Sequence, residues 1–305
     1  MKMFASQQVR AFAALMVLAL VWGYNWVVMK VALEYSTASQ FAAMRTFGGG
    51  LFLLMLMAAM RRPLKPREVP STIVLGLLQT TGFTGFIIWA LVQGAAGKTS
   101  VLSFTMPFWV LLLAWPVLGE RIRGMQWLAV LLALAGLVFI LQPWHLHGSL
   151  VSMGLAVMAG ISWALSVIFH KKLTQRVPDL DLLSFTAWQM LFGSIPIVLF
   201  ALGDIGKPID WNPTYIGAIV FSVLLANALG WMAWLYALQR LPAGVASMTS
   251  MLIPVIAVLS AWLQLGERPS PVEALGMAMI IGALLVISWI SIRRHLQVDA
   301  AMGQD

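Results

Sequence analysis

The chain has 305 residues, 61% of them hydrophobic and only 10% charged, with a mean hydropathy of +0.89. Soluble domains carry about 25% charged residues, so this surface is built for lipid, and the absence of cysteine excludes a disulfide framework, an iron–sulfur centre and thiolate zinc. The net charge of +8 raises nucleic acid as a partner, a reading that the positions of the basic residues reject.

Stretches of about 20 apolar residues suffice to cross a hydrocarbon core about 30 Å thick. Ten are predicted: 11–30, 39–60, 71–93, 99–118, 124–142, 148–169, 181–202, 214–238, 243–265 and 271–292. The connections are too short for a soluble domain. The first stretch follows Lys2 and Arg10 as a signal peptide would. It is too long, lacks a small-residue cleavage site and precedes nine more, so it reads as a retained helix.

In span 1, Trp22, Asn25 and Met29 share a helix face, and Lys30 closes the span. In span 2, Arg45 is the only charge well inside a span, about 9 Å from the outer face. It reads either as a carboxylate-binding or outer-gate residue, or as a topology anchor or packing donor. The triplet Gly48, Gly49 and Gly50 reads either as close packing against span 1 or 4 or as a hinge. Span 3 offers Gln79, Phe83 and Phe86 on one face. Span 4 carries Ser100, Ser103 and Pro107 at i, i+3, i+7, and span 9 repeats this with Ser247, Ser250 and Pro254. Each proline frees the carbonyl four residues earlier, on Ser103 and Ser250. At membrane depth a freed carbonyl must be satisfied by protein, water or ligand. A substrate ammonium is one candidate partner; kinks satisfied by neighbouring side chains are the other reading.

Span 6 places Trp163, Ser166 and His170 on one face; span 7 holds Trp188 and Gln189; span 8 offers Asn227, Trp231 and Trp234. Such stripes join large apolar surface to a polar tip, which suits a cavity for an amphipathic solute, although packing and interfacial belts use tryptophan as well. Asn25, Gln79, Gln189 and Asn227 stand out because a mid-membrane amide needs a partner. Met44, Met106 and Met248 would let a pocket adapt. The predicted substrate-binding set is Trp22, Asn25, Met44, Arg45, Gln79, Phe83, Ser103, Trp163, Trp188, Gln189, Asn227, Trp231 and Ser250, with Gly48, Gly49, Gly50, Pro107 and Pro254 as hinge or gate.

With the N-terminus in the cytoplasm, 14 Lys/Arg fall in inside segments, 4 in outside segments, and Arg45 lies in a span. This is the positive-inside bias of a membrane protein, so basicity reports topology and no nucleic-acid partner is needed. The phrase "AWPVLGER" at 114–121 returns as "AWLQLGER" at 261–268. At that spacing of 147, Gly97–Arg121 and Gly244–Arg268 agree at 11 of 25 positions. A weaker match pairs "WGYNWVVMK" (22–30) with "WALSVIFHK" (163–171). The halves are then 1–146 and 147–305. Five spans per half is odd, so the second half enters the membrane from the opposite side, as in many secondary transporters. The fold class expected is an all-α integral membrane protein of ten transmembrane helices in two inverted five-helix repeats, with both termini in the cytoplasm.

These motifs and the 5+5 arrangement resemble the drug/metabolite transporter superfamily, in its ten-helix EamA-type branch, and look most like bacterial exporters of aromatic and other bulky amino acids. The resemblance implies that spans 1–4 and 6–9 surround a central cavity, with 5 and 10 peripheral. It also implies a complete functional unit in one chain, hence a monomer. The small four-helix pumps of this superfamily use a glutamate in their first helix, and residues 11–30 contain none, so permanently cationic drugs are not expected substrates.

No Asp or Glu falls mid-span, and there is no glycine-rich phosphate loop with Lys-Ser/Thr. Glu120–Arg121 and Glu267–Arg268 follow glycines at the interface and read as structural turns. No cofactor or metal is expected. The expected function is a carrier in the bacterial inner membrane that exports amphipathic metabolites, chiefly bulky neutral amino acids, by alternating access. The alternatives are a nucleotide sugar or drug-like solute as cargo, or an integral membrane transferase. The last would need clustered His, Asp or Glu, whereas His145, His147, His170 and His295 are scattered.

Overall fold

The computed structural model describes residues 2–118, 124–141, 149–231, 233 and 252–302. Among them there are helices and no strand. The elements are α1 (Lys2–Ala32), α2 (Ala38–Ala59), α3 (Val69–Leu75), π1 (Gly76–Thr84), α4 (Gly85–Gln93), α5 (Ala96–Ser103), α6 (Met106–Leu118), α7 (Met125–Leu141), α8 (Leu150–Arg176), α9 (Leu182–Leu202), α10 (Pro213–Val220), π2 (Phe221–Leu229), α11 (Leu252–Leu265) and α12 (Pro271–Met302). Among the described residues, five helical stretches are long and apolar enough to cross a membrane: Ala13–Ala32, Ala38–Ala59, Val69–Gln93, Leu150–His170 and Leu182–Leu202. Shorter apolar helix covers Trp127–Ile140, Pro213–Leu229, Leu252–Leu265 and Pro271–Ala283. The outer faces expose large apolar side chains, Leu263 at 84% and Val151 at 71% among them. Hydrocarbon solvates such a surface at no cost, whereas water would drive it to aggregate.

Local chemistry sets the helix starts. Thr37 accepts from the Gln40 N–H while the Gln40 side chain accepts from the Thr37 N–H, a capping box worth about 1 kcal/mol at the head of α2. Asp181 caps α9, and Asn212 followed by Pro213 opens α10.

Three predicted helices are not regular. Span 3 passes from α through π1 and back to α, and span 8 likewise contains π2. Span 4 is broken: α5 ends at Ser103, and α6 starts at Met106. Pro107 has no N–H to give Ser103, and the chain turns there through Thr105 N–H to the Leu102 carbonyl and Phe108 N–H to the Thr105 carbonyl. Ser100, Ser103 and Pro107 therefore do not share the single helix face that their spacing predicted.

The main helix packings are α7 on α12, α2 on α9, α1 on α11, α8 on α6, α4 and π1, α9 on π1, α2 on π2, α5 on α11 and α1 on π2. Numbered as spans, these are 5–10, 2–7, 1–9, 6–4, 6–3, 7–3, 2–8, 4–9 and 1–8. Exchanging span 1 with 6, 2 with 7, 3 with 8, 4 with 9 and 5 with 10 returns the same set. At the α7–α12 crossing, a Cβ on Gly136 or on Gly276 would lie 2.7 Å from the other glycine's carbonyl oxygen. That backbone-to-backbone approach admits only glycine.

The two ends of the bundle are tied differently. At one end, Lys30 Nζ donates to the Leu91 and Gly94 carbonyls (2.6 and 2.8 Å), and the Glu267 carboxylate accepts from the Ala96 and Gly97 N–H groups (2.9 and 3.1 Å). Gln40 Nε2 donates to the Asp204 and Lys207 carbonyls there. At the other end, Arg62–Asp181, Arg67–Asp179 and Arg176–Glu68 pair the α2–α3 and α8–α9 connections in exposed surroundings.

Candidate functional site

At the centre of the bundle a cavity of about 100 Å³ is lined by Trp22, Asn25, Trp26 and Met29 of α1, Arg45 and Thr46 of α2, Gln79, Thr80, Phe83 and Thr84 of π1, and Ile87 of α4. Phe104 at the α5–α6 break, Trp163 of α8, Gln189 and Met190 of α9, Ala226 and Asn227 of π2, Trp231 and Ile253 complete it. Neither α7 nor α12 reaches it. Nine of the predicted residues meet there: Trp22, Asn25, Arg45, Gln79, Phe83, Trp163, Gln189, Asn227 and Trp231.

The aromatic rings form two groups. Trp22 and Trp231 meet edge-on at 5.4 Å between centroids. Trp163 lies 4.7 Å from Phe83 and 5.7 Å from Phe104. Between them stand polar atoms. Trp22 Nε1 donates to the Ala226 carbonyl (2.7 Å), Asn227 Nδ2 to the Arg45 carbonyl (2.9 Å) and Thr80 Oγ1 to Gln189 Oε1 (3.2 Å). The Arg45 guanidinium donates to Met29 Sδ and lies 5.9 Å from the Phe41 ring centre. Its Nε and the Asn25 Oδ1 are buried with no hydrogen-bond partner, which is costly unless something else pairs with them.

Both π segments face this cavity, and this explains their neighbours. A π turn misaligns carbonyls from the helical ladder, and side chains of adjacent helices reach in, Ser162 Oγ to the Leu78 carbonyl (2.6 Å) and Trp22 Nε1 to that of Ala226, while Thr81 Oγ1 of π1 donates outward to the Gly193 carbonyl of α9 (2.5 Å).

Other predicted residues lie elsewhere. Ser103 is fully buried, but its hydroxyl donates to the Ala156 carbonyl at 3.3 Å and its carbonyl packs on Gly160, so both turn toward α8. Trp188 donates to the Leu64 carbonyl at an exposed edge. Met44 Sδ faces the Tyr215 hydroxyl at 4.0 Å. Phe86 is absent from the lining because the π turn rotates it away, bringing Thr80, Thr84 and Ile87 inward. Ser166 bonds back to the Trp163 carbonyl, and the His170 ring packs near Phe185 (6.1 Å), outside the cavity. Ser250, Ser247, Met248, Trp234, Glu120, Arg121, His145 and His147 fall outside the described residues.

The glycine triplet packs on α9 and π2, and not on spans 1 or 4. A Cβ on Gly48 would meet Val223 at 3.1 Å, one on Gly49 would meet Asn227 and Met190 at 2.9 Å, and one on Gly50 would meet Leu191 at 2.9 Å. Pro107 stands in the first turn of α6, and Pro254 is buried near the start of α11.

A larger cavity of about 300 Å³ lies at one end of the bundle, between the α4–α5 turn and α11–α12. Three of its four charged side chains are spent on the protein itself: Lys98 pairs with Glu273 at 2.7 Å, and Glu267 caps α5, while Arg268 also lines it. Among the described residues no group of His, Asp and Glu could hold a metal.

The EamA-like transporter family matches residues 10–142 and again 150–289. The transporter YoaV of Bacillus subtilis is 27% identical over 91% of this chain and 94% of its own. A probable amino-acid metabolite efflux pump of Salmonella typhimurium is 29% identical over 94% of this chain and 98% of its own; its namesake from Escherichia coli is 28% identical over 89% and 92%. A solved crystal structure shares the fold, with a TM-score of 0.65 at 17% identity over 93% of this chain and 98% of that one. A bundle of apolar helices around a central amphipathic cavity, matched end to end by these relatives, belongs to the EamA-like transporter family of the drug/metabolite transporter superfamily.

Proposed function

We propose that the protein is a secondary carrier that moves small amphipathic metabolites, above all amino acids with bulky or aromatic side chains, outward across a bacterial inner membrane. It works as a monomer in the bilayer, with ten membrane helices in two inverted halves that expose one cavity to each side in turn. The observation that carries this reading is the central cavity, with aromatic walls on two sides and amides between them. The packing set that survives exchange of the halves supports the inverted repeat, as do the two family matches, one in each half. Two relatives bear the name of amino-acid metabolite efflux pumps, which favours amino acids over other cargo.

Ordinary ligand pockets measure about 300–1,000 Å³, so a cavity of about 100 Å³ corresponds to a contracted state that rocking of the halves must open. Among the described residues its lining contains no carboxylate, which suits movement down the solute's own gradient. Proteoliposomes of purified protein, offered labelled tryptophan, phenylalanine, methionine, threonine, glutamate and a nucleotide sugar with and without a pH gradient, test this. Saturable movement of the bulky neutral amino acids without the gradient is the expected result. Movement of only glutamate or only the nucleotide sugar would discard the amino-acid assignment and leave a carrier of other cargo.

A further inference from the structure

Arg45 enters the cavity with no counter-ion among the described residues. Among the described residues the carboxylates are engaged or sited at the bundle ends, and the guanidinium is left with a thioether and an aromatic ring. Both are weak substitutes for oxygen anions, and Arg45 Nε bonds to nothing. A carboxylate matches a guanidinium fork through two parallel hydrogen bonds. On α1, Asn25 stands one turn before Met29, the residue that Arg45 touches. Residues 25 and 29 are offset by about 6 Å along that helix, and the unpartnered Asn25 Oδ1 belongs to a side chain that lines the same cavity as Arg45. An acceptor with no donor and, among the described residues, a cation with no anion, both lining one cavity with aromatic side chains, form the complement of one chemical head group.

On the amino-acid reading above, we propose that Arg45 and Asn25 read the two ends of a zwitterionic α-amino acid. The guanidinium takes the carboxylate, the Asn25 amide oxygen takes the ammonium, and a free carboxylate is obligatory. An amine alone would set a second cation beside Arg45. A carboxylate alone would satisfy Arg45 and leave Asn25 unpaired. The binding order is therefore amino acid, then carboxylate, then amine.

Ligand-induced thermal stabilisation of the purified full-length carrier tests this with two matched series. One comprises tryptophan, indole-3-propionate and tryptamine, and the other leucine, 4-methylpentanoate and isoamylamine. The expected result is that order of apparent affinity within a series, with the amine inert. In Arg45→Gln the carboxylate-bearing members weaken by about 10- to 100-fold, the range for a hydrogen bond to a charged group. Arg45→Lys, which keeps the charge but not the fork, falls between. The order in the leucine series alone would sink the aromatic reading and uphold the head-group assignment. An amine that stabilises as well as its amino acid overturns the assignment, and so does indifference to every carboxylate. Wild-type ranking decides even where Arg45→Gln fails to fold.

Discussion

Lys30 and Glu267 show how a charge at a membrane interface is used when it is not spent on a ligand. Lys30 closes the carbonyl end of α4, and Glu267 closes the amide end of α5, so the turn at 94–95 is held from both poles. Glu267→Gln leaves one oxygen for two N–H groups and should cost about 1–2 kcal/mol in thermal unfolding. Tryptophan identity alone says little about role. Trp163→Ala should weaken binding of an aromatic amino acid by about tenfold, as loss of a buried aromatic anchor does. Trp188→Phe, at an edge remote from the cavity, should leave it within about twofold. Asp204 sits outside the spans, and its carboxyl is drawn down to about 2 from 3.8, first by Lys207 and then by Ser39 and Thr37. A carboxyl depressed in the folded state contributes stability that is complete above its ordinary value and is lost as the pH falls from about 4 toward 2. Melting temperature followed across that window should fall more steeply for wild type than for Asp204→Asn.

At the level of elements, apolar run length placed the described helices, because hydrocarbon thickness imposes it, but not their ends: α1 starts nine residues before its predicted span, and α12 runs ten residues past its own. Irregularity inside the runs escaped. Nothing in "GLLQTTGFT" or "FSVLLANAL" announces a π turn, since the extra residue per turn is stabilised by partners on other helices, such as Ser162 and Trp22. A 3.6-residue wheel therefore placed Gln79 and Phe83 correctly in the cavity and Phe86 wrongly. The same blindness hid Thr80 and Thr84. Pro107 did signal a freed carbonyl, but sequence could not say that it would face Gly160. The crossing of π1 with α9 is equally tertiary: a Cβ on Gly193 would stand 2.3 Å from the Gly76 carbonyl oxygen. Gly193→Leu should force these helices apart at about 1–3 kcal/mol or more, read as a lower melting temperature and lost transport, while Gly154→Leu, with open space around it, should be tolerated.

For the molecule as a whole, class and family were legible from composition, charge placement and one repeated phrase, because these follow from the bilayer rather than from packing detail. The exposed ion pairs Arg62–Asp181 and Arg67–Asp179 each contribute little, so on the alternating-access proposal the end they join should open more cheaply than the end held by Lys30 and Glu267. An uncompensated cation at the cavity has a kinetic consequence as well. On the alternating-access proposal, resetting without cargo requires the protein to shut around a bare guanidinium, and shutting around a buried unpaired charge is penalised by several kcal/mol. A carboxylate on the return trip removes that penalty. Labelled tryptophan should therefore leave vesicles several-fold faster when unlabelled tryptophan waits outside than when it does not, and Arg45→Gln should abolish that trans-stimulation, so that a carrier proposed to export would run best as an exchanger.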